Sequence, residues 1–190
     1  METMTVAERM TAADFLALPV PELGRPWNLV DGEVVVNDPA PLHQYVRDDL
    51  AGALRDWSRA APGRGRVISP LDVKLDDRNV FVPDILWYAE GRAPARDAKP
   101  PSPMPDLAVE VRSPSTWRFD IGAKRAGYER HGLPELWLCD TAAETLLVFR
   151  RSRRDGPSFD VALELGREQR LESPLLPGFA LELAELFPRE

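Results

Sequence analysis

Two acids in this sequence stand where a carboxylate is costly. Asp84 follows Pro83 inside the apolar run Val80-Phe-Val-Pro-Asp-Ile-Leu-Trp-Tyr88, and Glu110 is flanked by Val109 and Val111 in Asp106-Leu-Ala-Val-Glu-Val111. An ionised carboxylate in such surroundings costs several kcal/mol unless something compensates, and a divalent cation would. Two carboxylates on neighbouring strands, with a backbone carbonyl and waters, suit the oxygen shell of Mg²⁺. Such an ion polarises a phosphoryl oxygen and prepares a water for in-line attack. Lys124 is the third candidate. It is one of three lysines beside 21 arginines, and it interrupts the apolar helical stripe Trp117, Ile121, Tyr128 four residues after Asp120. Pointing inward, its ammonium would orient the water or stabilise developing negative charge. The same residues also admit a plainer account, with Asp84 as a strand-end turn residue, Glu110 as an edge-strand acid and Asp120 with Lys124 as an i, i+4 surface pair.

Other chemistries lack their residues. There is no G-x-S-x-G elbow and no G-x-x-x-x-G-K-[ST] loop, and Gly63-Arg-Gly65 has neither the third glycine nor the setting of a dinucleotide site. One cysteine and two histidines cannot build a Cys/His zinc site, so any metal must be held by oxygen. Cys139 reads as packing in an apolar strand, His131 as a helix-end cap beside Gly132, and His43 as a residue near a helix start.

These residues need a scaffold to hold them. A chain of 190 residues is expected to form a single domain, 1–190, with one core. Hydrophobic residues at 44% and charged residues at 29% exclude disorder, collagen and coiled coil as the main architecture. No run reaches the ~18 apolar residues of a membrane span, and the opening METMTVAERM lacks the basic and apolar regions of a signal peptide, so the expected location is cytoplasmic. The net charge of −7 is uneven, since five arginines stand against three acids in residues 47–66. A local basic face is therefore compatible with an acidic protein.

Along the chain, Thr11-Ala-Ala-Asp14 opens a short helix that Pro19 stops. Trp27–Val36 reads as two strands about the turn Asp31-Gly32. From Pro41 to about Ala60, Leu42, Val46, Leu50, Ala53, Leu54 and Trp57 recur at helical spacing. Strands are expected at 67–68, 71–75, 80–88 and 106–111, with a proline-rich surface loop over 89–105. A helix over 116–131, strands at 133–139, 144–150 and 159–163, and a last helix at 183–187 complete the pattern. The expected class is α/β, a mixed central sheet flanked by helices with an N-terminal hairpin.

In this order the residues resemble a known family. Val82-Pro-Asp-Ile-Leu-Trp-Tyr88, Asp106-Leu-Ala-Val-Glu-Val-Arg-Ser-Pro-Ser115, Asp120, Lys124 and Tyr128, then Gly132-Leu-Pro-Glu-Leu-Trp-Leu-Cys-Asp140, are similar to the Uma-type restriction endonucleases of the PD-(D/E)xK nuclease superfamily. The likeness covers nearly the whole chain. It implies a restriction-endonuclease-like core in which Asp84, Glu110 and the Val111 carbonyl ligate Mg²⁺ or Mn²⁺, Lys124 completes the catalytic set, and Asp120 and Tyr128 support it. The wider superfamily carries its lysine two residues after the glutamate, where this chain has Arg112. Lys124 matches the Uma-type displacement of that lysine onto the next helix. Arg112 could instead contact a phosphate, because a guanidinium binds phosphate in bidentate fashion but stays protonated. The family's first hairpin usually carries a glutamate where this chain has Asn28, and an amide supplies a metal only a neutral oxygen.

Two functions follow from that reading. The first is metal-dependent hydrolysis of phosphodiester bonds in DNA, with Arg64 and Arg66 as candidate phosphate contacts, the Arg150–Arg154 cluster beside them, and a homodimer that cuts two strands. The second, motivated by Asn28, is a nuclease-like fold that binds nucleic acid or a protein partner without cutting.

Overall fold

The computed structural model describes residues 9–19 and 27–187; the first eight residues, which carry most of the signal-peptide reading, lie outside them. Local chemistry accounts for the first elements. Thr11 caps helix α1 (Ala12–Leu16) by accepting the Asp14 amide. Strands β1 (Trp27–Val30) and β2 (Glu33–Val36) meet at a turn where Asp31 and Gly32 have φ of 50° and 79°, the two positive values a tight hairpin of this twist requires. Helix α2 (Pro41–Arg59) begins with proline at its first position, where the missing N–H is not needed. Its buried stripe is His43, Val46, Leu50, Leu54 and Trp57. Leu42, expected on that stripe, is 52% exposed, and His43 occupies the inward position instead.

The apolar run 80–88, expected as one strand, is two. Strands β3 (Arg66–Ile68), β4 (Val73–Asp76), β5 (Asn79–Phe81) and β6 (Ile85–Tyr88) are divided between two sheets. β5 joins the four-stranded sheet β2-β1-β5-β4, whereas β6 enters a six-stranded sheet. Between them lies Val82-Pro83-Asp84, and Pro83 has no amide with which to continue a ladder. Asp84 therefore stands where the chain crosses from one sheet to the other.

The six-stranded sheet has the order β10-β9-β8-β7-β6-β3, with β7 (Leu107–Val111), β8 (Glu135–Asp140), β9 (Thr145–Arg150) and β10 (Val161–Gly166). β7 and β8 run parallel and every other pair in it is antiparallel, so the sheet is mixed. A parallel pair needs a crossover, and the helical segment 117–130 supplies it. Residues of alternate parity face opposite ways. Ile85, Trp87, Leu107, Val109, Val111, Trp137 and Cys139 pack with the stripe of α2. Ala108, Leu136 and Leu138 pack on the other face with Phe81, Tyr128 and Leu133. By parity Glu110 belongs to this second face, and β7 is central, so it is not an edge-strand acid. The hairpin β11 (Arg170–Glu172) and β12 (Ala180–Glu182), unforeseen from sequence, precedes helix α5 (Leu183–Leu186). Among the described residues no helix is long and apolar enough to cross a membrane.

The crossover is not one regular helix. A short turn α3 (Trp117–Phe119) leads into a π-helical turn over Asp120–Lys124 and then α4 (Arg125–Arg130). The wider turn shifts the periodicity, so Asp120 is buried while Ile121 is 43% exposed. Gly127 lets α4 approach the sheet, since a Cβ there would lie 2.8 Å from the Phe81 ring.

One buried acid is structural. Glu135 accepts hydrogen bonds from Trp137 Nε1 at 2.6 Å and Ser173 Oγ at 2.8 Å, tying β8 to the segment before β12. Burial raises its pKa above the ordinary value despite those two bonds and Arg150. A folded pKa above the unfolded one means that stability is full below the unfolded value and falls as pH rises through the folded value. Glu135→Gln, which keeps an acceptor for Trp137, is expected to raise Tm at pH 8 and leave it unchanged at pH 4. Thermal unfolding of both proteins at the two pH values checks this.

Candidate active site

The register of the central strands brings the two acids together. Ile85 pairs with Val109, so one step further along both strands Asp84 lies across from Glu110. Both are buried, at 6% and 3% exposure. The Val111 amide donates to Asp84 Oδ2 at 2.8 Å, and His43 Nε2 lies 3.3 Å from the same oxygen. On the Glu110 side the supporting helix contributes everything. Lys124 Nζ is 2.7 Å from Glu110 Oε1 and 3.0 Å from Asp120 Oδ1, and the Tyr128 hydroxyl donates to Glu110 Oε1 at 2.7 Å. Thr116 Oγ1 donates to Asp120 Oδ2 at 3.3 Å.

Asp120 and Lys124 are thus both an i, i+4 pair and a buried one. The π turn makes this possible, because it sets both residues on the face toward β7. Tyr128 follows one turn later, stacked edge-on against Phe81 at 5.1 Å.

The charge balance is uneven. Three buried acids, Asp84, Glu110 and Asp120, stand beside one buried lysine among the described residues, and it contacts Glu110 and Asp120. Burial, opposed by Lys124 and reinforced by Asp120 and Asp84, pushes Glu110 up to about 8. Asp120 is raised by burial in the same way, against the pull of Lys124. Burial alone would lower Lys124, but the Asp120 and Glu110 carboxylates outweigh it and hold the ammonium well above its ordinary value. Lys124 is therefore a fixed cation and not a proton acceptor. Tyr128 is raised by burial and by Glu110, so its hydroxyl keeps its proton.

This donor set fits a hard divalent cation. Among the described residues no hydrogen bond engages Asp84 Oδ1 or Glu110 Oε2, leaving one oxygen of each acid. The surplus of buried negative charge is what a cation would neutralise. Among the described residues no group of three or more His, Cys, Asp and Glu side chains is gathered to hold a metal. The groups that would hold one are the Asp84 and Glu110 carboxylates, with the remainder of the shell falling to water as Mg²⁺ prefers.

Comparison with known proteins agrees with this architecture. A family model described as "Uma2: Putative restriction endonuclease" matches residues 12–184. The chain belongs to the Uma2 family. Among solved structures, this Uma2 chain is similar to one from Anabaena variabilis described as "a putative nuclease belonging to DUF820". The two share 19% identity over 94% of this chain and 97% of the other, with a TM-score of 0.76. No curated protein matches it.

Several expected site residues of the Uma2 chain have other partners. Asn28, where the family resemblance leads to the expectation of a glutamate, is buried, and its Oδ1 accepts the Val82 amide at 2.8 Å, two residues before Asp84. Its side chain thus holds the segment that presents the acid. Asn28→Ala is expected to cost about 1–3 kcal/mol through the unmade hydrogen bond. Denaturant unfolding of the two proteins would read that loss, and an unchanged midpoint would contradict it. Arg112 pairs with Asp140 at 2.8 Å and lies over Trp117. Arg64 donates to the Trp57 carbonyl at 2.9 Å and lies over its ring, closing the end of α2.

Arg66, in contrast, is exposed and carries no carboxylate partner among the described residues. It lines a groove of about 890 Å³ with Arg55, Arg59, Arg96 and the acid Glu90. This groove is not at the acids. Arg66 pairs with Tyr88, at the opposite end of β6 from Asp84. The Arg150–Arg154 cluster is dispersed: Arg151 is buried against the carbonyls of Leu133, Gly156 and Glu129, Arg153 pairs with Asp155, and Arg154 pairs with Asp106.

His43 is the residue that sequence reasoning passed over. Read as a residue near a helix start, it is 2% exposed and touches Asp84. Its spacing to Val46, Leu50, Leu54 and Trp57 carried the signal, because those residues are the buried stripe of α2.

Proposed function

We propose that this protein is a metal-dependent endonuclease that hydrolyses phosphodiester bonds in DNA. The observation that carries the reading is the convergence of Asp84, Glu110 and Lys124 in one buried cluster on the central strands of a Uma2 fold. Membership of a family described as "Putative restriction endonuclease" supports a nucleic-acid substrate.

Asp84, Glu110 and the Val111 carbonyl would hold Mg²⁺ or Mn²⁺, which supplies Lewis acidity at the scissile phosphate. The chain's own groups do the rest. Lys124, locked as a cation by Glu110 and Asp120, offers its ammonium to the negative charge that grows on the phosphoryl oxygens. Tyr128 fixes Glu110 Oε1 and leaves Oε2 free for a metal that Glu110 would hold. Asp120 keeps Lys124 charged and oriented. Arg66 and its neighbours in the groove contact backbone phosphates away from the cut, and Arg112, paired with Asp140, stiffens the end of β7. A double-strand cut by chains with one site each uses a homodimer.

A second reading rests on Asn28. Without the usual acid there, the same fold binds nucleic acid or a protein partner and does not cut it. Incubating supercoiled plasmid with the purified protein and Mg²⁺ or Mn²⁺, with EDTA as control, separates the two. Metal-dependent conversion to open circles is expected, and retention of plasmid without conversion would favour binding alone.

A further inference from the structure

The histidine beside Asp84 has a chemistry of its own. His43 comes from α2, which packs on the face of the sheet opposite to Tyr128, and its ring reaches Asp84 at the sheet crossing from that side. Nε2 faces Asp84 Oδ2 at 3.3 Å, and Nδ1 is buried with no hydrogen-bond partner among the described residues. A bare Nε2 lone pair against a carboxylate oxygen would be repulsive, so the proton belongs on Nε2. Nδ1 is then a buried unpaired acceptor, which costs less than a buried unpaired N–H.

Together with the Val111 amide, this puts two donors on Oδ2. A carboxylate otherwise turns about its last torsion and exchanges its oxygens, because such torsions are broad. Two donors on one oxygen suppress that exchange and reserve Oδ1 for another partner. We propose that His43 is a positioning residue that donates Nε2–H to Asp84 Oδ2 and so presents Oδ1 as a preformed ligand for the divalent cation. The inference rests on the metal-dependent reading above. A direct nitrogen ligand is disfavoured here, because a metal-ligating histidine donates its other N–H to a partner and Nδ1 has none.

The test is calorimetric titration of Mn²⁺ into the full chain without nucleic acid. Wild type, His43→Gln, His43→Leu and Asp84→Asn are compared, each first checked by thermal unfolding. Glutamine places an amide N–H near the position of ring Nε2, whereas leucine fills the space without a donor. His43→Leu is expected to weaken Mn²⁺ binding about 10–100-fold, the usual loss when an outer-shell partner is removed. His43→Gln is expected to stay within about threefold of wild type. Equal binding by wild type and His43→Leu overturns the positioning role and leaves the metal site standing. No Mn²⁺ binding by wild type, or equal binding by Asp84→Asn, overturns the metal site and this inference with it. Nitrogen NMR of the ring in the metal-free wild-type protein tests the geometry without any variant. A protonated Nε2 is expected, and a protonated Nδ1 with bare Nε2 overturns the proposal.

Discussion

Asp84→Asn is expected to reduce plasmid nicking at least about a thousandfold, a loss of about 4 kcal/mol in transition-state stabilisation. The substitution removes one of the two carboxylates proposed to hold the metal while keeping the side chain's size. The amide oxygen still accepts the Val111 amide, which donates to Asp84 Oδ2 at 2.8 Å. The fold is therefore retained, and Tm is expected to stay near wild type. Loss of a buried negative charge even relieves Glu110, whose pKa is raised first by burial and then by Asp120 and Asp84, against Lys124. The measurement is nicking by both proteins, purified alike, over a range of Mg²⁺ and Mn²⁺. Equal rates would mean that the cleavage belongs to a contaminant or to another part of the molecule. Since copurifying nucleases are the commonest source of false activity, this variant is the control that gives the assay its meaning.

The largest expected effect on stability comes from Lys124→Met. Its ammonium is the single buried lysine among Asp84, Glu110 and Asp120, at 2.7 Å and 3.0 Å from the latter two. Removing one partner of a buried pair leaves uncompensated charge and costs about 3–5 kcal/mol. For a chain of this size that lowers Tm by roughly 6–20 °C. The cause can be isolated by removing the stranded charges as well. Lys124→Met combined with Glu110→Gln and Asp120→Asn is expected to recover most of the loss while remaining inactive. Recovery would show that electrostatics, and not the lost volume of the lysine stem, sets the cost. A triple variant no more stable than the single one would contradict this and place the cost in packing.

The candidate site residues stand where the scaffold departs from regular strands and helices. Val82-Pro83-Asp84 lies between the two sheets, the Asn28 side chain holds the Val82 amide, and a π turn interrupts the crossover helix at Asp120–Lys124. Each departs from a regular strand or helix, and each departure moves a polar group into the cluster. Regular elements could not have done this, because a strand alternates strictly and a helix repeats every 3.6 residues.

What the sequence determined by itself is what local rules and side-chain chemistry determine. The Asp31-Gly32 hairpin, the α2 helix, the crossover segment and the short apolar strands were legible because turn propensity and hydrophobic periodicity act over a few residues. Asp84, Glu110 and Lys124 stood out because a charge in an apolar pattern is costly wherever the pattern folds. The tertiary structure decided the rest. Whether Val80–Tyr88 makes one strand or two depends on which sheet each half joins, and that is a long-range pairing. The π turn moved Ile121 outward and Asp120 inward, a slip of register that helical spacing cannot foresee. Arg64 and Arg151 looked like phosphate contacts, but their guanidiniums were taken up by carbonyls distant in the chain or at a helix end. His43 lies 41 residues from Asp84, and only the packing of α2 across the sheet brings its ring to that carboxylate.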